Sequence, residues 1–213
     1  MTKENFSIDS LVDNLTPVSP LKNARLYILC SVMLMAGAFF TISTFGLRVD
    51  FAESLYNGTL VWKIGIFVLL AISAFMVVLS LSRPDTKPEK WHAVPALLGL
   101  GILIWQFYAQ DADMISINRL MMFSYAIQCI TTITIGGLVA YFLMWKFWLV
   151  KTASTKPARL AMVSGFLTSS LMAAAYSLHC NQDSALYILV YYVGSVAVIG
   201  LFGRLIGAHT LKW

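Results

Sequence analysis

Six stretches of this chain, at 26–47, 64–81, 93–109, 121–145, 160–178 and 185–203, run without a single Asp, Glu, Lys or Arg. A helix rises about 1.5 Å per residue, so about 20 such residues cross the ~30 Å hydrocarbon layer of a bilayer. The stretches take up most of the chain, and the connections between them are too short to fold into domains of their own. The expected fold class is therefore all-α, a polytopic membrane protein of six transmembrane helices. Composition agrees: 59% of the 213 residues are hydrophobic and 12% are charged, with a mean hydropathy of +0.76. About 25 mostly polar residues precede the first stretch and no small-residue cleavage site follows it, so that span is expected to remain in place.

The connections divide by charge. With the N-terminus on the cytoplasmic side, twelve basic residues fall inside (Lys3, Lys22, Arg25, Arg83, Lys87, Lys90, Lys146, Lys151, Lys156, Arg159, Arg204, Lys212) and three outside (Arg48, Lys63, Arg119). Lys and Arg accumulate on the cytoplasmic side, so the expected topology is N-in, C-in. Basic inner loops facing anionic lipid account for the net charge of +5 and the pI near 9.2 without a nucleic-acid partner.

Two regions follow: a cytoplasmic arm, 1–25, and a transmembrane domain, 26–213. In the arm, Ser7 can cap a short helix, Asp9 suits its positive start, and Pro17 and Pro20 stop it. Ile8, Leu11, Val12 and Leu15 share one face at i, i+3, i+4 and i+7. So short a helix cannot bury its own stripe and needs a partner, either the bilayer surface or a groove on a cytoplasmic protein. Asp9 and Asp13 on the other face favour the groove, because surface helices usually carry Lys or Arg there.

Small residues mark close packing, with Gly200, Gly203 and Gly207 in the sixth span and Ser164, Gly165, Ser169, Ser170 and Ala173–Ala175 in the fifth. The pairing they imply could lie within one chain or between copies in a homo-oligomer. Trp62, Trp91, Trp105, Trp145, Trp148 and Trp213 fall mostly near predicted interfaces, where amphipathic rings anchor.

Catalytic and transport chemistry is thin. No ionisable side chain stands at the centre of a span, as a coupled transporter would want. His92, His179 and His209 lie at span ends rather than where haem ligands would sit, and there is no CxxC dithiol. No cofactor is implied and the chain does not read as an enzyme; a small transporter or thiol-dependent membrane enzyme is the competing class.

What remains is thiols. Cys30 reads as a small buried hydrophobe near the inner end of the first span. Cys129 lies in the outer half of the fourth span, and Cys180 at the outer end of the fifth, in "SLHCNQDS", beside His179 and near Asp183. A soft sulfur with an imidazole neighbour suits a soft or oxidising metal species, which makes Cys129, Cys180 and His179 candidate metal ligands. Lone cysteines and interfacial histidines are also ordinary in spans, so a structural role stays open. A direct disulfide needs Cα atoms about 5.5 Å apart, and the difference in depth opposes that without a bent helix or an inward-dipping loop.

Leu178-His179-Cys180 with Asp183, Tyr187 and the final Leu211-Lys212-Trp213 resembles the C-terminal pattern of the NrsF family of bacterial six-span anti-sigma factors. Gly46-Leu47-Arg48 with Asp50 and Leu55 resembles that family's first outer loop. Ser82, Pro84, Pro88, Trp91 and Pro95 resemble its first inner loop, and Leu11, Leu15, Pro17, Val18, Pro20 and Leu21 its arm. Tyr191-Tyr192 departs from the family's frequent Trp, and Gly207-Ala208-His209-Thr210 from its more basic tail. The resemblance implies a bacterial inner-membrane protein that sequesters an extracytoplasmic-function (ECF) sigma factor. Release would follow when an oxidant or thiol-binding heavy metal reaches two cysteines, here Cys129 and Cys180 by matching motif. The arm residues Ile8, Leu11, Val12 and Leu15 would then be the sigma-binding surface.

Overall fold

The computed structural model describes residues 22–110 and 123–210. All regular structure among them is helical: α1 (Asn23–Phe45), a short α2 (Phe51–Tyr56), α3 (Thr59–Leu81), α4 (Val94–Ala109), α5 (Phe123–Phe147), α6 (Pro157–Tyr176) and α7 (Ala185–Thr210). Six helices are long and apolar enough to cross a membrane, as expected. Ile8, Leu11, Val12 and Leu15 lie outside the described residues, as does Arg119.

The helix limits depart from the charge-free runs in instructive ways. The second span begins at Thr59, so Lys63 sits inside the helix rather than in a loop. Gly46 ends α1 at φ 81° and Gly58 precedes α3 at φ 75°, left-handed values that favour glycine and turn the chain into and out of α2. The fifth span ends at Tyr176, and the last continues beyond Gly203 to Thr210. Within α7, Ile188–Val193 is wound as a π-helix.

The sequence of α6 explains its place at the centre. Within its apolar window 72% is buried in the protein, against 22% for α1 and 17% for α4. Lipid tails are as apolar as leucine side chains, so helices associate here through close approach rather than through expulsion from water. The small-residue face of α6 permits that approach. A Cβ at Gly165 would stand 2.6 Å from the Ile199 carbonyl oxygen of α7, and one at Gly203 would stand 2.5 Å from that of Ala161. The two backbones are in contact, so these glycines serve packing within one chain. Ser164 and Ser169 donate back to the carbonyls of Leu160 and Gly165, which satisfies their hydroxyls inside the helix.

Two buried clusters stack along α6. One, toward the end where α1 begins, gathers Leu26, Cys30, Val78, Tyr141, Met144, Trp148 and Leu160. The other gathers Phe67, Cys129, Ile133, Tyr176, Cys180, Tyr187, Tyr192 and Val196. The second cluster and the turns above it form what we call the thiol end; the opposite end, where Arg83, Lys146, Lys151 and Lys156 stand, is the basic end.

Candidate functional site

The chain does not leave the bundle where α6 stops. Ser177 N–H donates to Ala173 O, and the amides of Leu178, His179 and Cys180 donate to Ala175 O, Tyr176 O and Tyr176 O. These bonds tighten the last turn and direct the 177–184 loop inward. Cys180 is 5% exposed and Cys129 0%. The dip offsets the difference in depth expected from the sequence, and the two free thiols share one buried cluster. Cys30 lies in the other cluster.

Tyr187 and Tyr192 wall this pair. Their hydroxyls are buried with no hydrogen-bond partner at standard distance, and the thiols are polar groups that face them. Phe67 stacks on Tyr192 with ring centroids 5.3 Å apart, closing the side toward α3. The π-helical stretch of α7 carries Tyr192. Such bulges shift the register of side chains along a helix and occur often at functional sites.

Above the thiols the loop is clasped by charge. Lys63, 0% exposed, donates from Nζ to Cys180 O at 2.9 Å, Gln182 O at 2.8 Å and Asp183 Oδ1 at 3.3 Å. Its ammonium also lies 5.0 Å from the centroid of Tyr192. Arg48, 4% exposed, donates through Nη1 and Nη2 to both carboxylate oxygens of Asp183, at 3.2 and 2.8 Å. Its Nε and Nη2 hold both oxygens of Asp50 at 2.8 and 2.7 Å. Forked pairs of this kind are the strong, oriented form of ion pair. Burial disfavours the Arg48 charge, but the bonds to Asp50 and Asp183 outweigh it and raise the guanidinium above its ordinary value. The bond from Arg48 holds the Asp50 carboxyl below the usual carboxylate range.

Neighbouring elements complete the clasp. Gln110, at the end of α4, donates to Asp183 O at 2.8 Å and accepts from Ala185 N–H at 2.8 Å. Arg48 N–H donates to Leu178 O at 3.1 Å. His179 Nδ1 meets Gly46 O at 3.1 Å, and its ring packs against Phe45 and Tyr176 at 5.2 and 5.8 Å. The loop is thus tied to the α1–α2 turn, α3 and α4 while its cysteine meets α5.

The sequence-predicted residues separate here. Cys129 and Cys180 come together, whereas His179 is engaged by the α1–α2 turn. Among the described residues no three His, Cys, Asp or Glu side chains converge as a metal site, so the imidazole does not complete a set with the two thiols. Arg48, Asp50 and Asp183, scattered in sequence, form one network. Lys63 and Gln110 were missed as loop contacts, because charge counting placed Lys63 in an outer loop. The signal available was a lysine placed directly before the charge-free run from 64 to 81, and the helix begins four residues before it.

A family model described as "NrsF: Negative regulator of sigma F" matches residues 11–213. A probable anti-sigma-F factor NrsF of Azospira oryzae is 28% identical over 155 residues, covering 71% of each chain. The anti-sigma-F factor NrsF of Caulobacter vibrioides is 22% identical over 214 residues, covering 96% of this chain and 99% of that one. No solved structure matches.

Proposed function

The chain belongs to the NrsF family, negative regulators of sigma F, and from that membership we propose that it is an inner-membrane anti-sigma factor whose thiol end senses stress. It lies N-in, C-in, surrounded by lipid, with the arm and basic end in the cytoplasm. The arm captures an ECF sigma factor by laying Ile8, Leu11, Val12 and Leu15 into a groove, and the basic loops assist. The signal is an oxidant or a thiol-binding heavy metal acting at Cys129 and Cys180.

The observation that carries this reading is the buried thiol pair beneath a loop tied to four other elements. Oxidation removes two protons and two electrons from the pair and joins the sulfurs at about 2.04 Å. A soft cation instead displaces two protons and is bridged by the two thiolates. Either change draws the sulfurs into a fixed geometry and moves the loop relative to α5. The loop leads directly into α7, whose π-helical turn at Ile188–Val193 is the element able to absorb a change of register. α7 lies against α6 to the basic end, so a shift there reaches the cytoplasmic side.

The energy required is small. A coupling of about 1–3 kcal/mol between thiol end and arm changes sigma affinity about 5- to 150-fold. Deletion of residues 1–20 tests the capture half: the shortened chain is expected to insert normally and lose its sigma partner in a pull-down. Retained co-purification would remove the arm from the account.

A further inference from the structure

A lysine near the end of a membrane helix ordinarily extends its stem and places its ammonium in the polar layer. Lys63 stands four residues after the start of α3 and could do this, yet it is fully buried. An ammonium has three donors, and here three acceptors of the 177–184 loop meet it: Cys180 O, Gln182 O and Asp183 Oδ1. Two of the three are main-chain carbonyls that flank Asn181, and one belongs to Cys180 itself. Asp183 has a second cation in Arg48; the carbonyls of Cys180 and Gln182 have Lys63.

We propose that Lys63 is the positioning residue of the thiol pair: by fixing the backbone on both sides of Asn181 it holds Cys180 against Cys129 and keeps it out of reach of bulk reagents. Lys63 thereby sets how fast the pair closes and what reaches it, with Asp183 and Arg48 anchoring the far edge of the loop. Without this ammonium, two carbonyls lose their donor under a lipid-embedded bundle, and the loop lifts to find water. The thiols then cease to be pre-paired, and ring closure loses the advantage of two groups already held in register.

This role deepens the sensory reading and rests on it, but it is read on thiols alone, with no sigma factor present. Membranes holding the full chain are treated with diamide, which takes two electrons and two protons from Cys129 and Cys180 as the S–S bond forms and its own N=N bond becomes a hydrazine. Peptide mass analysis follows the disulfide, and N-ethylmaleimide labelling follows each cysteine separately. Relative to the unaltered chain, the ring-closing step that follows addition of the first thiol to diamide is expected to be on the order of 10- to 100-fold slower in Lys63→Met, the scale on which small misplacements act. Maleimide should reach Cys180 about tenfold faster, with labelling of Cys30 unchanged. Asp183→Asn, which spares both carbonyl bonds, should give a smaller change of the same sign.

Unchanged rates in Lys63→Met would overturn the proposal, as would equal gains in labelling at Cys30 and Cys180, which signal general loosening. So would a failure of the unaltered chain to form the disulfide. Should Lys63→Met not accumulate, Lys63→Gln, which keeps an amide donor, is expected to give an intermediate rate. Loss of both Lys63 variants beside normal Asp183→Asn would make Lys63 a residue of the fold, and the proposal would fail. A disulfide rate that depends on Lys63 while sigma release ignores the cysteines would instead sink the sensory reading and leave the positioning role intact.

Discussion

The two ends of the bundle are held in different ways. At the thiol end Arg48, Lys63, Asp183 and Asp50 form one ionic network that pins the 177–184 loop to its neighbours. At the basic end the corresponding link is neutral: Trp148 Nε1 donates to Ser82 Oγ at 3.0 Å, joining the close of α3 to the close of α5 over Leu26, Met144 and Leu160. Arg83 reaches Asn23 at 2.9 Å on the exposed rim. Taking charges out of water costs several kcal/mol each, and well-packed apolar groups usually serve stability as well or better. The basic end shows that this chain closes a bundle without buried ions. Their concentration at the other end therefore marks a place where backbone position, rather than stability alone, is under control.

This contrast can be broken by mutation, and the largest effect belongs to Arg48. Arg48→Met leaves Asp183 with Lys63 alone and frees Asp50, so it should lower stability by about 3–5 kcal/mol, the cost of breaking a buried pair. The check is thermal unfolding of the detergent-solubilised protein. A loss below ~1 kcal/mol, in the range of a surface pair, would show that the network is wet and not a clasp.

Next comes the spine shared by both ends. Gly203→Val places its Cβ against the Ala161 carbonyl, 2.5 Å away in the present packing. It should cost about 1–3 kcal/mol by overpacking, with labelling of Cys30 and Cys180 raised together. A change confined to one cysteine would mean that the ends are not coupled through the contact of α6 with α7.

The basic end should respond more weakly. Trp148→Phe keeps a buried ring and removes the bond to Ser82, a loss of about 0.5–1.5 kcal/mol by thermal unfolding. The rate of Cys129–Cys180 oxidation should not move, and if it did the two ends would not be separable.

Smallest is Asp50, 43% exposed in its side chain, where Asp50→Asn should alter stability by about 0–1 kcal/mol. The sign with pH is fixed by the lowered carboxyl. Its stabilising contribution is complete above the unfolded value near ~3.9 and disappears only as pH falls through the lower folded value. Stability between about pH 5 and 8 should thus be the same function of pH in Asp50→Asn as in the unaltered chain, and a difference in slope across that window would show another group titrating through this contact.

Much of this architecture was legible in the residues. The charge-free runs give the number of spans because lipid offers no partner to an exposed backbone. The small residues of the fifth and sixth spans give the α6–α7 contact because only they let backbones touch. What periodicity does not encode is the path of a loop. The approach of Cys180 to Cys129 depends on the turn bonds after Tyr176 and on Lys63, 117 residues away in sequence from its carbonyl partner. Counting Lys63 as an outer-loop charge hid it, since the positive-inside rule weighs only the side of the membrane and not the direction of the side chain. His179 is the converse case: its adjacency to Cys180 suggests a ligand, and in the fold its Nδ1 meets Gly46 O.

The most direct measurement of the central claim is sigma-factor co-purification with the solubilised full-length chain before and after diamide, in the unaltered protein and in Cys129→Ser/Cys180→Ser. The account predicts a loss of affinity of about 5- to 150-fold on oxidation of the unaltered protein, restored by a reductant, and no response in the double variant. Equal release from both proteins, or release from neither, would contradict it.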